Sequence, residues 1–133
     1  MKIVSGYKKN YDNINMECYR IDGFKGMDSA LKIVESLYDI GMNVERIYVE
    51  SEHDRDYPED RFTGLYTNYD ELCTGLDQRP PSTIEHINVF GKCNNQDLAC
   101  TINLFGPNHI VIRTPKESNL DISNTIDEVS HRL

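Results

Sequence analysis

Two hydrophobic periods divide this chain. Between residues 27 and 40 the period is helical. Met27, Leu31, Val34 and Tyr38 recur at i, i+4, i+7 and i+11, and Ala30, Ile33, Leu37 and Ile40 widen the stripe. The spacing predicts a helix over about 28–40, with Asp28 or Ser29 able to cap its start. Gly41 suits the left-handed position just past its end. Met16–Asp22 before it and Asn43–Glu50 after it read as strands, so the three elements make a βαβ unit, right-handed if its strands are parallel. Lys2–Tyr7 is a candidate edge strand.

The last third has period two. Ile84–Cys93, Leu98–Phe105 and His109–Thr114 read as three successive strands joined by Asn94-Asn-Gln-Asp97 and Gly106-Pro-Asn108. Four- and three-residue loops would set Cys93 opposite Leu98, Val89 opposite Ile102 and Ile102 opposite Ile112, all on one side of the sheet. The other side would then carry the rows His86–Phe105–His109, Asn88–Asn103–Val111, Phe90–Thr101–Arg113 and Lys92–Ala99. Two capping-box patterns remain. Asn68-x-x-Glu71 opens a short helix through Leu76, and Ser118-x-x-Asp121 opens a final one with Ile122, Ile126, Val129 and Leu133 on one face. The whole reads as α+β: one domain over 1–133, with a mixed or mostly antiparallel sheet of five or six strands. Its C-terminal part is a three-stranded meander, and two main helices pack on one face.

Charge adds what periodicity cannot. The chain has a net charge of −8, but residues 35–85 alone hold 13 acids against 4 bases. The densest part includes Glu50, Glu52, Asp54, Asp56, Glu59 and Asp60, with Pro58 among them, and reads as a loop. Tyr48, Tyr57, Tyr66 and Tyr69, half of the eight tyrosines, are interleaved with these acids. A concentrated acidic field attracts basic surfaces and repels nucleic acid and anionic membrane. Tyrosine supplies large contact area at low entropic cost. The acidic loop is therefore a candidate docking segment for a basic protein, with Glu50, Glu52, Asp54, Asp56, Tyr57, Glu59, Asp60 and Tyr66 as its contact residues. The bland alternative is a solubilising charged face. A homo-oligomer remains open.

Chemistry is mostly excluded. No Gly-x-Gly-x-x-Gly, P-loop, Gly-x-Ser-x-Gly or Cys-x-x-Cys occurs. Counted from Asp54, an EF-hand would need Gly at the sixth position and Glu at the twelfth, where Glu59 and Leu65 stand. Cys93 and Cys100 fall on the opposite side of the sheet from His86 and His109, which removes those pairs as nucleophile and base. Cys18 or Cys73 with His53 or His131 stays open. His86 and His109 lie two strands apart without a third ligand, a poor metal site. The chain is expected to be non-enzymatic, without metal or cofactor. No apolar run approaches a membrane span and no h-region opens the chain, so reduced thiols and a cytoplasmic location are expected. Small acidic chains of this composition include immunity proteins and antitoxins that plug a basic toxin, an analogy of composition and not of motif. The second functional reading is a small-molecule or nucleotide site on the polar sheet face, formed by His86, Asn88, Phe90, Asn103, His109 and Arg113.

Overall fold

The computed structural model describes residues 2–11, 14–22, 26–51, 62–77, 84–104 and 108–115, and in the first two strands it describes the backbone. Its elements are β1 (Lys2–Tyr11), β2 (Ile14–Asp22), α1 (Gly26–Asp39), β3 (Asn43–Ser51), β4 (Phe62–Tyr66), α2 (Tyr69–Asp77), β5 (His86–Cys93), β6 (Gln96–Asn103) and β7 (His109–Pro115). The expected helix after Ser118 lies outside the described residues.

The fold is α+β. The strands form one sheet in the order β1-β2-β7-β6-β5-β3-β4, and every neighbouring pair is antiparallel. Among the described residues this sheet has seven strands, one more than the upper end of the expected five or six. The addition is β4, too short and too close to the acidic stretch to stand out as alternation. β5, β6 and β7 form the expected meander. β2 and β3 run in the same direction, but β7, β6 and β5 lie between them, so α1 carries the chain across the sheet instead of linking neighbouring strands.

Both helices bury their apolar stripes against one sheet face. Ala30, Ile33, Val34 and Leu37 of α1 and Leu72 and Leu76 of α2 share a core with Ile47, Val49, Ile87, Val89, Leu98, Cys100, Ile102, Ile110 and Ile112. Each fully buried aliphatic side chain contributes roughly 1.5–3 kcal/mol by leaving water. α1 begins two residues earlier than its pattern suggested, at Gly26 with φ 76°, which leaves Asp28 inside the first turn. Its end is as expected. Gly41 takes φ 95°, its N–H donates to the Tyr38 carbonyl, and the Met42 N–H donates to the Leu37 carbonyl, each at 3.0 Å. This pair of bonds is a Schellman ending, and buried Met42 and Leu37 supply the hydrophobic contact that accompanies it.

The meander register differs from the expected one by two residues at each turn. Val89 pairs with Cys100, Gly91 with Leu98 and Cys93 with Gln96. Asn94 and Asn95 adopt φ values of 52° and 64° and close the hairpin in two residues, so Gln96 and Asp97 join the strand. Two consecutive residues at positive φ are what a type I′ turn needs, and asparagine tolerates them. The next connection is longer than expected, because Ile102 pairs with Ile110 and Asn103 with His109. A slip of two preserves which side each residue faces. The two slips also cancel between β5 and β7. The polar rows are therefore His86–Asn103–His109, Asn88–Thr101–Val111 and Phe90–Ala99–Arg113, with only the middle strand's members changed. Phe105 lies outside the described residues.

Candidate functional site

Two surfaces carry the candidate residues, one beside the helices and one on the far side of the sheet.

On the helix side, α1 and α2 meet end to end. Asn68 caps α2: its Oδ1 accepts the Glu71 N–H at 2.9 Å. The Glu71 carboxylate reaches back and accepts the Thr67 N–H at 2.9 Å and the Thr67 hydroxyl at 2.8 Å. This is the expected capping box with its return bond placed one residue earlier. The Thr67 backbone and hydroxyl together hold the Glu71 carboxyl below its usual range. Tyr38 of α1 uses its hydroxyl to accept the Tyr69 N–H at 3.0 Å, which satisfies an amide that the start of a helix leaves without a partner. Burial, hydrogen bonds to Cys73 and Glu35 and their charges hold the Tyr69 phenol well above its usual value. Burial, and to a lesser degree the charge of Asp70, raises the Tyr38 phenol above its usual value, against the hydrogen bond from Tyr69.

The junction leaves a cleft of about 330 Å³ lined by Glu35, Tyr38, Asp39, Asn68, Tyr69 and Asp70. A second hollow of about 420 Å³ continues from Asp70 along α2 to Tyr66, Glu71, Thr74 and Gly75. Every one of these residues falls within the acidic stretch 35–85. Of the docking residues chosen from sequence, Glu50 and Tyr66 are described, whereas Glu52, Asp54, Asp56, Tyr57, Glu59 and Asp60 lie outside the described residues. Glu50 is on the far face of the sheet, with Oε2 3.9 Å from His86 Nδ1. Tyr66 is on the helix side, in register with buried Ile47. A methyl on Gly64 or on Gly75 would collide with the Tyr66 ring, so this tyrosine packs α2 onto β4. Charge and aromatic content drew attention to this region. What they missed was Glu35, Asp39 and Asp70, which the chain reversal brings to one place.

On the far face the rows hold together through hydrogen bonds. Arg113 Nη2 donates to the Thr101 hydroxyl at 2.7 Å, and that hydroxyl donates to Asn88 Oδ1 at 2.9 Å. Arg113, Thr101 and Asn88 thus form a chain across three strands. Asn103 Nδ2 and His109 Nε2 stand 3.4 Å apart. Among the described residues no three potential metal ligands come together. His86 and His109 occupy the outer positions of one row, two strands and about 10 Å apart.

At one end of this face a bulge shapes the surface. One extra residue enters β3 between the pairs Val44–Gly91 and Arg46–Phe90. Without that insertion Glu45, and not Arg46, would stand opposite Phe90. The bulge presses the Asn43 carbonyl onto Gly91, where a methyl group would collide with it. Arg46 lies over the Phe90 ring, its guanidinium carbon 4.6 Å from the ring centre. Arg46, Phe90, Ala99 and Arg113, with Glu45, Gly91, Asp97 and Leu98, line a cavity of about 510 Å³. Phe90 and Arg113 were chosen from sequence. Arg46 was missed because it follows the bulge, which no alternation pattern reveals.

No protein-family model matches the chain, and neither the curated proteins nor the solved structures yield a match.

Proposed function

We infer that this protein is a non-enzymatic binding module whose acidic, tyrosine-bearing surface docks on a basic protein. The observation that carries this reading is the junction of α1 and α2. Glu35, Asp39 and Asp70 supply three carboxylates, and Tyr38 and Tyr69 supply two rings, around a cleft of about 330 Å³. A lysine or arginine side chain entering it meets carboxylates for its charge and ring faces for its cationic head and methylene stem. The raised phenols of Tyr38 and Tyr69 stay neutral at physiological pH, so the rings remain uncharged contact surface. The acids of 50–60 add to the attracting field. Among basic partners, a toxin held by an immunity protein or antitoxin fits the composition, and co-expression with the product of a neighbouring gene in a growth assay tests that narrower reading.

The docking test uses a lysine-rich peptide as probe and compares two triple variants. Glu35→Gln, Asp39→Asn and Asp70→Asn neutralise the cleft. Asp28→Asn, Glu45→Gln and Asp97→Asn remove the same charge elsewhere on the exposed surface. Both triples should slow encounter, since steering follows net charge. Only the cleft triple should also speed dissociation. Equal dissociation rates for the two would sink the reading.

A further inference from the structure

The cavity on the far face of the sheet does nothing for a docking surface beside the helices. We propose that it is a binding site for a small aromatic carboxylate, held between Arg46 and Arg113.

The row Arg46–Phe90–Ala99–Arg113 crosses four strands, so the two arginines are rooted about 14 Å apart. Between them stand one flat ring and Ala99, the smallest side chain of the row. Gly91 and Leu98 lie beyond, and Gly91 has no side chain. Two long cationic residues thus wall a hollow whose floor is Phe90 and Ala99. Arg113 is fixed before any ligand arrives. Thr101 takes a hydrogen bond from its Nη2, and Asn88 in turn fixes Thr101. Such pre-organisation lowers the ordering cost of binding. The Arg113 Nε is buried with no hydrogen-bond partner. A buried donor without a partner is destabilising, and such groups are found at sites shaped for something other than stability.

The chemistry of the walls selects the ligand. A guanidinium binds a carboxylate through a planar fork and stacks on aromatic faces. Arg46 already lies over the Phe90 ring, and its guanidinium is free to take a ligand ring on the side away from Phe90, so ring, guanidinium and phenyl would stack. Arg113 takes the carboxylate. Glu45 and Asp97 at the rim balance the two arginines, so the charges of the described lining residues cancel. This balance disfavours a polyphosphate and suits a monoanion. Arg46 itself exists at this place only through the β3 bulge, and the bulge closes against the protein only because residue 91 is glycine.

The test is an NMR titration of the folded chain with benzoate and phenylacetate, and with benzyl alcohol as the uncharged counterpart. Both acids should bind with dissociation constants of millimolar order or tighter and shift the amides of Arg46, Phe90, Ala99 and Arg113, and benzyl alcohol should not. Arg113→Lys keeps the charge and removes the fork, and should weaken binding roughly tenfold or more. Arg46→Gln should weaken it comparably, with a spectrum otherwise like the parent's, which shows that the variant is folded. The proposal is overturned if neither acid shifts these amides, if benzyl alcohol binds as well as benzoate, or if Arg113→Lys binds benzoate unchanged.

Discussion

Gly91 and Tyr66 show how much single positions decide here. Gly91 has no side chain because the Asn43 carbonyl occupies the space that a methyl group would need. Gly91→Ala must push the β3 bulge away, and should lower stability by roughly 1–3 kcal/mol, the usual cost of overpacking. A denaturant melt measures this, and an unchanged midpoint would contradict the geometry. Tyr66→Ala empties the space between Gly64 and Gly75. The expected loss is about 2–4 kcal/mol, toward the lower part of the range for large aromatic truncations because the ring is only half-buried. A thermal melt separates that structural loss from any loss of partner binding. The cysteines divide by the same logic. Cys73, Cys93 and Cys100 are free thiols. Burial pushes the Cys100 thiol up to about 12, against the pull of Arg113, so it stays protonated and unreactive in the folded protein. Cys73, half-exposed on α2, should react with a thiol reagent in the native state, whereas Cys93 and Cys100 should react only after unfolding. Native-state labelling of Cys100 would show that the core opens far more readily than its packing implies.

The elements show what alternation reveals and what it leaves out. The side on which Val89, Cys100, Ile102 and Ile112 lie was legible, because period two fixes the face whatever the turn. Their pairing was not, because Asn94-Asn-Gln-Asp97 fits a four-residue loop as readily as the two-residue turn that forms, and the choice rests on two positive φ values. The chain end of α1 was legible from one glycine. β4 was not, since five residues containing Gly64 have little alternation to read. The turn should respond accordingly. Asn95→Gly relieves the left-handed conformation and should leave stability equal or slightly higher, whereas Asn95→Val should cost about 1 kcal/mol or more. A melt of both variants in which valine matches glycine would exclude the type I′ turn. At the other helix, Asn68→Ala removes the α2 cap and should cost on the order of 1 kcal/mol. The Glu71 carboxyl is held below its unfolded value, so its contribution is complete above that value and fades as acid protonates it. Tyr69 behaves in the opposite sense. Its raised phenol supports the fold below the ordinary tyrosine range and stops doing so as pH climbs above about 10.

At the scale of the whole molecule, the sequence located the charge but not the surfaces that use it. Residues 35–85 were visibly acidic, yet Glu35 and Asp70 meet only because the chain leaves α1, crosses β3 and β4 and returns in α2. The far face was legible as a set of polar rows, whereas Arg46 joined it through a bulge. The two proposed sites therefore sit on opposite sides of one sheet, one acidic and one balanced in charge. Salt should distinguish them. Near 0.01 M ionic strength the screening length is about 30 Å, and near 0.15 M it is about 8 Å. Lysine-rich peptide should then lose most of its rapid association, because that speed comes from the long-range field. Benzoate should lose little, because its contacts with Arg113 and Arg46 are short and the charges of the described residues lining their cavity cancel. The fold itself should gain. A segment with 13 acids and 4 bases repels itself most when compact, so the melting temperature should rise with sodium chloride over that range. A falling melting temperature would mean that attractive pairs outweigh repulsion in the native state, and the acidic stretch would then be paired within its own chain and not held for a partner.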